Sequence, residues 1–512
     1  MIARREFLRM SSGLLAASAI GGLNCLSNVS ADCTGATLTD SAVSLFRSSI
    51  QGSVILPADS SYWTARLLFS PRFDPYPVAV VRAANESDVA RTIEFARVNN
   101  IKLAIRSGGH SYIGASACDG IVLDLSQMNQ VTSLGGAHFR IGSGTQLQNV
   151  YGTLRCDGNW TLPCGSCDTV GFGGIAQGGG FGYLQRSHGL TCDRVRSARV
   201  VLADGSIVTA SPNDDADLYW AIRGAGGGSL GVVTQFDVEA IPYQNIHIQV
   251  WYWPLSLANE ALNKFVSLQQ SGVIPRSATA ALVFNTSAAM LSPSQCLCVL
   301  FSTGTTAEAL AVKKLFVGGG GIPETPGLSY EYDASSPACD PHAIAQRQYY
   351  RAKSAMVFGA PSADTGDVIR AGLMQRINGS VSGGGQESML ASADYASINF
   401  LTFGGAVSDL DSTDASFAHR DALLEVQFLG YVTSLSSVAS NQKWIQDLYA
   451  DVFPRLSIAG AGCYVNYADE DLLETQWPLL YWGDNYGRLQ QTKLRVDPSD
   501  FFRHKQSIKI PS

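Results

Sequence analysis

The sequence predicts an α+β protein with two domains, and three observations carry that prediction. Residues 78–81 read as a short apolar strand, 86–98 as a helix and 101–105 as the next strand. The stretch from about 244 to 445 reads differently: strand-like segments at 246–253, 280–285, 296–302 and 396–402 alternate with helical stretches at 257–270 and 307–316, which predicts an antiparallel sheet backed by helices. Fifty-one glycines in 512 residues are too many for a helical protein and suit strands, turns and close backbone approaches.

The first 31 residues read as an export signal. Arg4-Arg-Glu-Phe-Leu-Arg9 precedes a mildly apolar run from Gly13 to Leu23, and Val29-Ser-Ala31 offers a cleavage site. The pattern resembles a bacterial twin-arginine signal, so a periplasmic or extracellular protein is expected. Removing it takes three arginines and Glu6, which leaves 33 basic against 42 acidic residues, or −9, where the whole chain has −7.

The strand at 101–105 runs into Arg106, Ser107, Gly108, Gly109, His110, Ser111 and Tyr112. A loop of this kind after a strand presents backbone N–H groups without obstructing Cβ atoms, and such groups cradle a pyrophosphate without cationic side chains. Cys167 stands 57 positions after His110, in Gly165-Ser-Cys-Asp-Thr-Val-Gly171. The glycine run 171–182 looks superficially like a dinucleotide-binding loop, but Gly178, Gly179 and Gly180 would break the helix that such a loop needs. Asp193 lies only 11 positions past Gly182, too near for the acidic residue of that motif.

These two segments resemble the berberine bridge enzyme-like flavoproteins of the vanillyl-alcohol oxidase superfamily. In that family the histidine of R-S-G-G-H and the cysteine of G-x-C-x-T-V-G are both bonded to one flavin, and His110 and Cys167 match them. The resemblance implies bicovalent FAD held also by Arg106, Ser107, Gly108, Gly109, Ser111, Tyr112, Thr169, Val170, Gly173, Gly174, Gly178, Gly179, Gly180 and Gly182. It places Asp193 and Val195, in G-L-x-x-D-x-V, near the adenine side. Val170 occupies the position where the family's oxidases carry valine and its oxygen-poor dehydrogenases leucine. A twin-arginine route, which carries folded proteins, suits a flavoprotein loaded in the cytoplasm.

Eleven cysteines suit an exported chain. With Cys25 lost and Cys167 on the flavin, nine remain, so not all can pair internally; Cys156 and Cys164 flank a short turn and could bridge, as could Cys33 with a partner in the core. Cys164-x-x-Cys167 also has the spacing of a redox dithiol or half a metal site, but no second C-x-x-C exists, and no metal is expected. Alternation points Cys296 and Cys298 to one face of a strand, in a buried structural role.

In the central region, 415–421 followed by 423–428 resembles the family's F-x-H-R turn leading into a strand, with Phe417 and His419 anchoring the turn. Period two puts Glu425 and Gln427 on one face. Near the C-terminus, Tyr464-Val-Asn-Tyr-Ala-Asp469, the segment 482–489 containing Asn485 and Tyr486, and 497–503 match the family's Y-x-N-Y-x-D, G-x-N-Y-x-R-L and D-P-x-x-F-F-R blocks. The resemblance therefore implies an FAD-binding domain at 32–243 completed by 446–512, and a substrate domain at 244–445. It also makes Tyr467 the candidate base, with Tyr464 expected on the opposite face of a strand. A phenol titrates near 10, and a Glu425 charge beside it would raise it further, so either Tyr467 or Glu425 is the base.

Composition bounds the partners. The chain is 46% hydrophobic and 15% charged, shows no basic stripe for nucleic acid and holds no interior run of 18 apolar residues, so no membrane span is expected. The leading expectation is a monomeric FAD oxidase that takes hydride from an alcohol of a carbohydrate or secondary metabolite and reduces O2 to hydrogen peroxide. A flavin dehydrogenase or oxidative cyclase using another acceptor, and a non-catalytic ligand-binding protein on the same fold, are the alternatives.

Overall fold

Helix formation at Glu86–Val98 is written into its ends. Asn85 caps it by accepting the Asp88 N–H, Glu86 and Asp88 place negative charge at the positive end of the helix dipole, and Arg97 sits in the last turn. The buried carboxylate of Asp88 also accepts the Gln51, Gly52 and Ala84 N–H groups, fixing the chain on either side. Val89, Ile93 and Ala96 recur at helical spacing and are buried against the neighbouring sheet.

That sheet has four strands in the order Ser53–Ile55, Ala79–Arg82, Ile121–Asp124, Leu103–Arg106, of which the last three are parallel. Val80, Val81, Ile121, Val122 and Leu123 are wholly buried, as parallel strands covered on both faces require. A five-stranded antiparallel sheet follows, ordered Val131–Gly135, His138–Gly142, Val232–Glu239, Val195–Val201, Ile207–Ala210. The computed structural model describes residues 39–286, 295–317, 328–333, 347, 349–381, 395–432 and 434–511. The export-signal reading of residues 1–31 and the thiol of Cys33 lie outside these residues.

The central region forms a seven-stranded antiparallel sheet. Its order is Leu328–Asp333, Asn245–Pro254, Gln295–Ser302, Ala278–Asn285, Tyr395–Thr402, Leu424–Val432, Tyr349–Val357. Period-two alternation divides it into two faces. Leu282, Phe284, Cys296, Cys298, Ile398, Phe400, Val426 and Phe428 pack beneath the helices Ala258–Gln270, Thr306–Phe316 and Val438–Leu456. Val283, Phe301, Asn399, Leu401, Glu425, Gln427 and Tyr431 face the other way, into a cavity. Register is strongly specified here, because a one-residue slip would carry the charged and amide groups into the core.

Two expectations are corrected. The division placed at 445 falls inside the helix Val438–Leu456, which packs on strands Tyr349–Val357 and Leu424–Val432, so the sheet layer keeps the chain to Leu456. Cys156 and Cys164 are not bridged: both are free thiols, one exposed on a helix end and the other buried. After Leu456 the chain returns to the first half, where Cys463, Trp477, Tyr481, Trp482, Leu489 and Ile508 join the core of the five-stranded sheet. Lys493, fully buried, ties this return by donating to Ser229 O, Phe502 O and Asp497 Oδ2.

Candidate functional site

A cavity of about 730 Å³ lies between the two glycine loops and the open face of the seven-stranded sheet. Backbone forms much of its floor: residues 107–109, Gly171, Gly173, Gly174 and the run Gly226 to Gly228 line it. The first two loops touch through their glycines. A Cβ on Gly108 would lie 2.2 Å from Gly171 N, and Gly109 has a φ of +74°, a conformation that favours glycine. We expect Gly108→Ala to push the loops apart and yield protein that purifies with little flavin absorbance. Flavin absorbance equal to wild type would show that the contact is dispensable.

At one end of the cavity the imidazole of His110 stacks on Phe69, with ring centroids 4.0 Å apart and planes 20° apart. Its Nε2 lies 2.9 Å from Thr169 Oγ1, and the same hydroxyl is 4.0 Å from Cys167 Sγ. Burial lowers His110 to about 4, opposed by a hydrogen bond to the Thr169 backbone, so the ring is neutral at physiological pH.

Phe69 also meets Tyr350 at 6.2 Å, and beside it further rings converge. Tyr112 stacks on Tyr467 at 5.0 Å and 6°, meets Tyr350 edge-on at 5.2 Å, and accepts a 2.8 Å hydrogen bond from Gln427 Nε2. Glu425 is 3% exposed, and its Oε1 makes no hydrogen bond. Burial raises its carboxyl well above the ordinary value, while burial and then the Glu425 charge raise the Tyr467 phenol. Among the described residues lining the cavity there is no Lys, Arg or Asp, and Glu425 is the single carboxyl group.

Tyr464 and Tyr467 do not stand on opposite faces of a strand. They belong to a tight 3-10 turn, Val465–Tyr467 with Tyr464 at its cap, in which positions three apart eclipse. Both line the cavity with centroids 5.0 Å apart, and Tyr464 Oη accepts the Gly180 N–H.

The structure brings Ser107, Gly108, Gly109, His110, Ser111, Tyr112, Cys167, Val170, Gly173, Gly174, Gly182, Glu425, Gln427 and Tyr467 to the cavity wall. Other expected cofactor contacts stand behind it. Arg106 joins two strand ends through a buried 2.8 Å pair with Asp124. Gly178, Gly179 and Gly180 form the turn beneath Asn466, Phe417 and Thr191, and Thr169 reaches the wall through His110. Asp193 makes a bidentate buried pair with Arg420 and accepts the Leu190 N–H, and Val195 begins a core strand. Asn485 donates to the carbonyls of Ser412, Ala415 and Ser416, and Tyr486 stacks on Trp482. These residues hold loops in place and do not face the cavity. Phe417 and His419 anchor a turn as expected, His419 against the Cys463 carbonyl.

Other cavity residues were missed in the sequence. Gly226 to Ser229 follow Gly224 in a glycine run that was legible by composition, and Phe69, Ser143, Tyr350 and His504 carry no local signal. They bear on what fits. Ser143 Oγ is buried at the wall without a hydrogen-bond partner, and a Cβ on Gly174 would meet nothing within 4 Å. The volume, the backbone floor and this open polar cradle fit a flavin dinucleotide. No group of His, Cys, Asp and Glu among the described residues is placed to hold a metal, and no helix there is long and apolar enough to cross a membrane.

Comparison with known proteins agrees with this fit. Residues 77–211 match the FAD binding domain, and 463–509 match the family described as berberine and berberine like. The FAD-linked oxidoreductase dpmaF of Metarhizium anisopliae is 30% identical over 486 residues, spanning 87% of each chain. A chitooligosaccharide oxidase of Gibberella zeae is 28% identical over 483 residues, 90% of this chain and 91% of its own. Among solved structures, the glucooligosaccharide oxidase of Acremonium strictum, with a 6-S-cysteinyl, 8α-N1-histidyl FAD, superposes with a TM-score of 0.79 at 24% identity, over 92% of this chain and all of that one. The glycine-floored cavity, its FAD binding domain and the C-terminal return together make this chain a member of the berberine bridge enzyme-like family of FAD-linked oxidoreductases.

Proposed function

We propose that the protein is an oxidase that carries FAD on His110 and Cys167, removes hydride from a hydroxyl-bearing carbon of an uncharged substrate, and passes the electrons to O2 as hydrogen peroxide. The observation that carries this reading is the placement of Glu425 and Tyr467 in the same cavity as His110 and Cys167. The backbone at 107–111, 171–174 and 226–229 would hold the cofactor, as would Ser143. When bound, the flavin supplies the hydride acceptor.

The protein's own task is the proton. Burial moves both candidates upward, but with opposite consequences: the phenol moves up from its ordinary 10, further from the operating pH, whereas the carboxyl starts from 4.5, below it, and is raised well above that value. A base works best with a value near the operating pH, so Glu425 takes the substrate's O–H proton and Tyr467 donates a hydrogen bond that orients the hydroxyl. Gln427, through Tyr112, fixes the ring on which Tyr467 stacks. The aromatic walls and the absence of a cation among the described lining residues favour a neutral polyhydroxylated or hydroxyaromatic substrate. Val170 at the wall supports the oxidase over the dehydrogenase reading.

The test is anaerobic mixing of the purified protein with oligosaccharides and hydroxylated aromatic alcohols, followed by admission of air. Bleaching of the flavin band, then its rapid return with stoichiometric peroxide, is the expected result. Slow return in air with fast return on adding a dye acceptor would instead establish a dehydrogenase. Intact mass of the denatured protein is expected to include one FAD, retained in each of the single variants His110→Ala and Cys167→Ala and lost in the double variant.

A further inference from the structure

The side chain of Thr169 stands between the two attachment residues. Its hydroxyl lies 2.9 Å from His110 Nε2 and 4.0 Å from Cys167 Sγ, while Phe69 stacks on the imidazole and holds its plane. Nε2 is the ring nitrogen that meets this hydroxyl. A hydroxyl has one hydrogen to give and two lone pairs to receive. If Oγ1 accepts from Nε2–H, its own hydrogen is left for the sulfur, and the ring's lone pair is left on Nδ1. The reverse arrangement would put the proton on Nδ1, where it blocks that nitrogen, and would leave the sulfur without a donor from this side.

We propose that Thr169 is a positioning residue for cofactor attachment: it accepts the Nε2–H of His110, so that Nδ1 carries the nucleophilic lone pair, and it turns its hydroxyl hydrogen toward the sulfur of Cys167. The inference rests on the attachment reading above. Joining His110 to a flavin methyl carbon breaks one C–H bond and forms one C–N bond at Nδ1. The electron pair of the broken C–H bond, with the methyl proton and the Nε2 proton, reduces the flavin by two electrons, which molecular oxygen then removes as hydrogen peroxide. The Nε2 proton leaves by way of the Thr169 hydroxyl, which gives up its own hydrogen as it receives that one, so threonine ends unchanged and one proton reaches the reduced flavin. A hydroxyl aimed at sulfur favours the thiolate, which is the reactive form of Cys167. One side chain thus serves both bonds, and burial keeps the imidazole neutral and nucleophilic.

The Cys167→Ala variant isolates the histidyl link. Its denatured intact mass is expected to include one FAD, whereas Cys167→Ala/Thr169→Val, nearly isosteric but without the hydroxyl, is expected to purify yellow and show about a tenfold smaller attached fraction after equal expression time. Cys167→Ala/Thr169→Ser is expected to recover attachment, because serine restores the hydroxyl. Equal attachment in the valine and threonine proteins overturns the proposal. A colourless valine protein also overturns it, since Thr169 would then act in binding FAD and not in attaching it. Apoprotein mass in wild type and in Cys167→Ala alike overturns the attachment reading itself, and this inference with it.

Discussion

Glu425→Gln is expected to lower kcat by about 10²–10⁴-fold while leaving the flavin bound and the protein more stable at neutral pH. The activity side follows from position: Glu425 is the single carboxyl among the described residues of the cavity wall, and the amide cannot take a proton. In wild type, kcat should rise with pH as the carboxyl ionises through a value raised by burial, and the variant should lose that limb. The stability side follows from linkage. Burial raises the folded-state value above the ordinary 4.5, so the group's contribution is fully present below about 4.5 and is lost as pH rises through the raised value. At neutral pH an unfolded Glu425 is ionised freely, whereas the folded one must stay protonated or bury a charge. Gln removes that conflict, so its melting temperature should exceed wild type's at pH 7 and converge with it below pH 4.5. A variant that keeps its kcat, or one in which Tyr467→Phe alone removes the pH limb, would move the base to Tyr467.

Much of this arrangement was legible because period two is a strong local signal. Glu425 and Gln427 were placed on one face, and Cys296 and Cys298 on one face, by alternation alone; the structure adds that the two faces are the cavity and the helix-covered core. The same rule misplaced Tyr464. A spacing of three separates residues across a strand but superposes them in a 3-10 turn, and the sequence Tyr-Val-Asn-Tyr does not announce which backbone it takes. Motif membership likewise did not separate wall from scaffold. Arg106, Asp193 and Asn485 stand in motifs that resemble those of the family, yet each spends its polar atoms inside the protein, on Asp124, Arg420 and three backbone carbonyls. Such pairings join residues from 18 to more than 200 positions apart, and no local pattern encodes them. The helix Val438–Leu456 shows the same limit at larger scale: the division expected at 445 cuts through it, because the sheet it covers is not encoded in its local pattern.

Lys353→Met is expected to cost about 3–5 kcal/mol, the largest stability loss among the substitutions considered, because it strands a buried carboxylate. Lys353 and Asp469 are 2% and 1% exposed, and the ammonium donates to both Asp469 oxygens at 2.8 and 2.7 Å and to Asp471 at 2.6 Å. Without it the Asp469 carboxylate keeps, among the described residues, only the Asp471 N–H. Arg351, two positions earlier on the same strand, pairs with Glu470 and Asp471, and Arg72 joins Glu470 to the Tyr112 carbonyl. Burial alone would raise the Asp471 carboxyl, but hydrogen bonds from Arg351 and Lys353 outweigh it and hold the group below its ordinary 3.8. Its contribution is therefore complete above about 3.8 and is lost only as pH falls through the lower folded value. The cluster joins the edge strand Tyr349–Val357 to the turn that carries Tyr467, with Ser354 Oγ accepting the Tyr464 N–H between them. Urea midpoints give the measurement: Lys353→Met should fall well below wild type, and Lys353→Met/Asp469→Leu should recover part of the loss, since removing both charges relieves the stranded one. If the double variant is no more stable than the single, the cost lies in lost packing beneath Tyr449, over whose ring the ammonium sits at 4.9 Å, and not in the charge.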